Sequence, residues 1–248
     1  MIIFRSLLFQ LGMLLLTVFY GVLGLFTFPL PHIFRYRFFS GWAIGILFLL
    51  KWVCHLDYKI TGLENLFQQN SCVLYSKHQS AWETISAITF LPIHTWVVKK
   101  ELLRIPFFGW ALKLLNCIAI DRDGGRSALK KLIHEGTEAL RRGHHVLIYP
   151  EGTRVAVGEE REYQIGGAML AVKAGVPVVP IAHNAGSFWK KHGFLIRPGT
   201  IEVMIGVPIQ TEHLQARELN ALAKQWIDEA MNQIQSRQSA KIGITNQK

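Results

Sequence analysis

The stretch Cys72-Val73-Leu74-Tyr75-Ser76-Lys77-His78-Gln79-Ser80-Ala81-Trp82-Glu83 decides how this chain reads. Its first five residues form a short apolar run of the kind a buried strand requires. A helical pattern follows over 82–90, so the polar residues between lie at a strand-to-helix transition. On a regular helix, positions five apart diverge by about 140°. His78 and Glu83 can therefore meet only if His78 stays in the loop and Glu83 enters the first helical turn. A carboxylate there accepts the ring Nδ1–H, fixes its tautomer and leaves Nε2 free to take a proton from a hydroxyl. A structural histidine would show the same spacing.

Outward from this stretch, short apolar runs alternate with helical patterns. Residues 72–76, 95–98, 117–120, 146–149, 176–182 and 201–207 read as strands, and 82–90, 127–142 and 168–174 as helices. Gly143 stands where a helix ends before the strand near Val146. The alternation predicts an α/β fold, a mixed central sheet flanked by helices with active residues beyond strand ends. A last helix is expected over about 214–234, with a loose polar tail from Ser236.

Three further charged clusters follow strands. Tyr149-Pro150-Glu151-Gly152-Thr153-Arg154 places a glycine beside charge, so that backbone N–H groups can approach an anion and Arg154 can grip a phosphate. The competing reading is a turn in which Glu151 and Arg154 bind each other. In Ile120-Asp121-Arg122, Arg122 is a second candidate phosphate ligand, or else a partner of Asp121 or Asp123. Val98-Lys99-Lys100-Glu101-Leu102 precedes Ile105-Pro106-Phe107-Phe108-Gly109-Trp110, an apolar and aromatic segment suited to an acyl chain or a lipid surface. Two adjacent lysines are as often simply solvated.

Half of the 248 residues are hydrophobic, and mean hydropathy is +0.23. The excess sits in the first 56 residues. Positions 6–34 hold no Asp, Glu, Lys or Arg, enough for a spanning helix of about 20 residues. The apolar region is too long for a signal peptide and lacks a small-x-small cleavage site, so an uncleaved anchor is expected. Pro29 and Pro31 end it, and a shorter apolar stretch runs from Phe38 to Leu50. A connecting loop with Arg35 and Arg37 would sit badly outside the cell, so a hairpin dipped into the cytoplasmic leaflet is the better arrangement. The expected organisation is a hairpin over 1–57, a catalytic domain over 58–236 and the tail over 237–248. A net charge of +10 suits an anionic membrane or phosphorylated substrates; no nucleic-acid motif is present. Cys54, Cys72 and Cys117 have no paired spacing, and neither a disulfide framework nor a metal site is indicated.

In this order, the blocks 77–83, Lys100-Glu101-Leu102 with Pro106 and Gly109, 120–122, 149–154 and 176–181 resemble the 1-acyl-glycerol-3-phosphate acyltransferase family, bacterial type. Residues 183–186 and 198–201 are similar too, so the resemblance covers roughly 60–210. It departs from the family at Glu83, where an Asp is usual, and at Gln164, where a Lys is common. The resemblance implies transfer of a fatty acyl group from acyl-CoA or acyl carrier protein to the sn-2 hydroxyl of 1-acyl-glycerol-3-phosphate, giving phosphatidic acid. His78 would be the base and Glu83 its partner. Arg122 and Arg154, with Lys100, would hold the phosphate, Glu151 would help place the glycerol, and Gly152 and Thr153 would belong to the same substrate-binding set. No cofactor is implied beyond the donor. The expected location is the inner membrane, with the catalytic domain on the cytoplasmic face. The alternative is an acyltransferase of the same fold that takes another lysophospholipid or a lyso-aminolipid.

Overall fold

The computed structural model describes residues 1–68 and 70–245. Helices α1 (Ile2–Leu25) and α2 (His32–Trp52) come first, and β1 (Leu56–Thr61) follows. The chain continues through β2 (Val73–Ser76), α3 (Trp82–Phe90), β3 (His94–Lys99), α4 (Phe108–Leu114), β4 (Ile118–Ile120), α5 (Gly125–Arg141) and β5 (His145–Ile148). It ends with α6 (Gly166–Ala174), β6 (Val178–His183), α7 (Ala185–Phe188), β7 (Gly199–Ile205) and α8 (Ala216–Thr245). The strands form one mixed sheet in the order β1-β7-β6-β2-β5-β3-β4. Strands β2 to β6 run parallel, and the β7–β6 pair is antiparallel. The carboxyl ends of β2 to β6 therefore share one edge, where α/β sheets place their sites.

Side chains alternate across the sheet with the period of two that strands impose. Leu74, Trp96, Leu147 and Val179 face one layer, which includes α3 and the N-terminal helices. Val73, Tyr75, Val97, Val146 and Ile148 face the other, covered by α5, α6 and α8. In α2 the buried positions are Tyr36, Phe39, Ala43, Ile46 and Leu50, one stripe at helical spacing. The hairpin thus belongs to the core of the fold on that face. The outward face of α1 is apolar and exposed, including Leu7, Leu11, Leu14, Leu15 and Phe19. Both helices are long and apolar enough to cross a membrane.

Several expectations need correction. The boundary expected between residues 57 and 58 falls inside β1, a strand whose pairing with β7 reaches across most of the chain. Helix α2 begins at His32, so Arg35 and Arg37 lie within it and not in a connecting loop. Pro31 instead caps α2, its fixed φ suiting the position before a first turn. The tail expected from Ser236 continues as helix to Thr245, because residues 236–241 contain neither Gly nor Pro and are mostly fair helix formers; positions 246–248 lie outside the described residues. Gly143 takes φ +78 just past α5, the left-handed conformation that ends a helix cheaply only for glycine.

Candidate active site

Strand β2 delivers Lys77 and His78 into the loop, and α3 starts at Trp82 because Ser80 Oγ accepts the Trp82 N–H at 3.2 Å. Glu83, in the first turn, folds back over the loop. Its Oε1 accepts His78 Nδ1–H at 2.9 Å and the N–H groups of Gln79 and Ser80 at 2.8 Å each. A carboxylate can only accept, so Nδ1 carries the proton and Nε2 keeps its lone pair. The His78 ring also stacks on Tyr149, centroids 4.0 Å apart at 16°. Burial works against a charged Glu83, yet the facing His183 and the N–H donors outweigh it and hold the carboxyl below its ordinary range. His183 itself is buried, which pushes its imidazole below the usual histidine value. Both its nitrogens are engaged: Nε2–H donates to Lys77 O at 2.8 Å, and Nδ1 accepts the Ala185 N–H at 3.3 Å.

The second cluster is turned inward and packs around the His78 backbone. Glu151 is fully buried, and its carboxylate takes Lys77 Nζ at 2.5 Å and the His78 N–H at 2.7 Å. Each oxygen thus has a partner inside the protein, and the side chain is closed off from solvent. Gly152 adopts φ +71, and its N–H closes a turn onto Tyr149 O at 2.9 Å, so it does not face an anion. Beyond Thr153 and Arg154, the Val155 N–H donates to His78 O at 2.7 Å. The backbone of His78 is clasped from both sides by this one loop. Arg154 has no acidic partner among the described residues, so the turn in which it would bind Glu151 is not formed.

Beside the clasp lies an apolar cavity of about 490 Å³ between the hairpin, α3 and α4. Ala81, Thr84 and Arg154 line it near the His78 loop, and Met13, Trp42 and Phe108 line it further in. Phe107 also lines it at φ +62, a conformation unusual for a bulky residue. The close approach of α1 needs Gly21, where a Cβ would come within 2.5 Å of Phe107 Cβ.

A family model described as Acyltransferase matches residues 57–184. The chain is 45% identical over 235 residues to the 1-acyl-sn-glycerol-3-phosphate acyltransferase of Pseudomonas aeruginosa, covering 93% of this chain and 91% of that one. It belongs to the 1-acyl-sn-glycerol-3-phosphate acyltransferase family. A second relative is the alpha form from Ovis aries, 28% identical over 218 residues, covering 77% of this chain and 76% of its own. The crystal structure of the 1-acyl-sn-glycerophosphate (LPA) acyltransferase PlsC from Thermotoga maritima shares the fold, with a TM-score of 0.79 at 23% identity, covering 95% of this chain and 98% of that one.

This acyltransferase does not gather all its sequence-predicted residues at one point. His78, Glu83, Glu151 and Arg154 come together because β2 and β5 are neighbours. Lys100 follows β3, one strand further out, and its ammonium pairs with Asp121. Arg122 follows the edge strand β4, two strand steps or about 10 Å from β5. The sequence reading assigned no role to Lys77 or His183. Lys77 adjoins His78 directly, and His183 ends an apolar run, but only the fold reveals that both face carboxylates.

Proposed function

We propose that the protein transfers a fatty acyl group from a thioester, acyl-CoA or acyl carrier protein, to the sn-2 hydroxyl of 1-acyl-sn-glycerol-3-phosphate. The observation that carries this reading is the oriented His78–Glu83 pair beside an apolar cavity, with the unpaired Arg154 at the junction. His78 Nε2 takes the hydroxyl proton as the oxygen attacks the thioester carbonyl. The C–O bond forms, the C–S bond breaks, and the proton passes from the imidazolium to the departing thiolate. Glu83 stabilises the transient imidazolium. The acyl chain occupies the apolar cavity, and Arg154 holds the phosphate, joined at a distance by Lys100 and Arg122. No cofactor enters these steps.

The exposed apolar face of α1 supports a location on a membrane, and we assign the catalytic domain to the cytoplasmic side of the inner membrane. The family's names support this acceptor over another lysophospholipid. Purified protein supplied with 1-acyl-sn-glycerol-3-phosphate and each donor in turn should form phosphatidic acid, and His78→Ala should lower the rate about a thousandfold with folding intact. Transfer by the His78→Ala variant near the normal rate would sink the mechanism. A preference for another lysolipid in direct competition would replace the acceptor.

A further inference from the structure

Residues 188–197, starting at the last residue of α7, close into a small loop that the chemistry above does not use. Trp189 and Ile196 bridge its two arms. The Trp189 Nε1–H donates to Gly193 O at 3.1 Å, the Gly193 N–H to Lys190 O at 2.8 Å, and the Arg197 N–H to Phe188 O at 2.9 Å. At the tip stand Lys190, Lys191 and His192, the last held at φ +55.

This loop is fastened to the hairpin. Ser6, a fully buried hydroxyl of α1, accepts the Ile196 N–H at 3.0 Å. The ring of Phe9 meets Trp189 edge-on, with centroids 5.4 Å apart. Gln10 Nε2 reaches Phe194 O at 3.5 Å. Phe194 and Leu195 remain exposed, 45% and 46%, on the loop that these contacts tie to α1. Apolar side chains beside lysines at the base of an apolar helix suit an interface with anionic lipid.

Between this loop and the His78 loop lies a second cavity of about 360 Å³, lined by Gln10, Ala81, Arg154, Trp189, Lys190 and His192 among others. No acidic residue lines it. Gln10, Ala81 and Arg154 line the apolar cavity as well, so the two spaces adjoin at Arg154, one apolar and one cationic. Lys190, like Arg154, has no acidic partner among the described residues. A ligand that fits across the junction carries a doubly charged head on one side of Arg154 and reacts on the other.

We propose that Lys190 and His192 complete, with Arg154, the binding site for the phosphate monoester of the lysophospholipid, and that the loop over 188–197 is where this head group enters from the membrane surface. This rests on the acceptor reading given above. The phosphate lies in the cationic cavity, and the glycerol extends past Ala81 toward His78. The loop's attachment to α1 sets the height of the phosphate site relative to the bilayer.

The test is steady-state kinetics in neutral detergent micelles, where no anionic surface contributes. Lys190→Gln combined with His192→Gln should raise KM for 1-acyl-sn-glycerol-3-phosphate roughly tenfold, while kcat and the donor KM stay within about twofold. Lys190→Glu should raise the acceptor KM further. Inorganic phosphate should inhibit the double variant less than the parent. An unmoved acceptor KM in an active enzyme would overturn the inference alone, as would a rise confined to the donor KM. So would an effect seen on anionic vesicles and absent in micelles. A parent enzyme inert toward this acceptor would overturn the acceptor reading and the inference together.

Discussion

Two loops leave the same edge of the sheet, and they are built on opposite principles. In the first, residues 77–83, every backbone N–H and C=O of Lys77 and His78 is bonded. Lys77 N–H bonds Ile181 O at 3.0 Å, Lys77 O takes His183, His78 N–H takes Glu151 and His78 O takes Val155. By contrast, the segment after β3 presents Lys100 to solvent, paired with a half-exposed Asp121, and Arg122 stands beyond it. The first loop fixes one ring to within hydrogen-bond tolerance. The second offers half-exposed charge to an approaching ligand. Proton transfer needs position, and phosphate attraction needs only charge nearby.

That contrast is open to direct tests. The largest effect should come from Glu83→Gln, which keeps the side-chain volume and removes the charge that stabilises an imidazolium. The rate should fall on the order of a hundredfold, with Glu83→Asp keeping much of the activity. Equal, near-normal rates in both would show that the held loop contributes no electrostatics. Next is Glu151→Gln, which sets an amide against the Lys77 ammonium. Here kcat should drop about tenfold with the acceptor KM unchanged, because Glu151 positions His78 and does not face the lipid. The opposite split, a raised KM at constant kcat, would return Glu151 to a glycerol contact. Smallest is Arg122→Gln: the acceptor KM should rise about threefold at low salt, and the difference should vanish at high salt. A salt-independent tenfold loss of kcat would place Arg122 inside the rigid set.

Much of this was legible in the residues alone. The apolar runs at 72–76 and 146–149 announced strands, and the five-residue separation of His78 and Glu83 required the loop-then-helix geometry that α3 adopts. What stayed hidden depended on distance along the chain. The Lys77–Glu151 pair joins residues 74 positions apart, and no local pattern distinguishes it from an ion pair between Glu151 and Arg154. Strand β1 alternates Leu56, Tyr58 and Ile60 with polar residues, yet its role is set by β7. The cavities are spaces between elements, so each lining residue reads as ordinary core or surface by itself.

The pairing of β1 with β7 also has a consequence in time. Leu56 lies opposite Gly199, so the strand that follows the hairpin has no partner until most of the polypeptide has left the ribosome. At about 5–20 residues per second, that delay is on the order of ten to thirty seconds. The two apolar helices emerge well before it ends and are free to partition into lipid. A chain that places these helices in lipid at that stage is tethered before its sheet is complete.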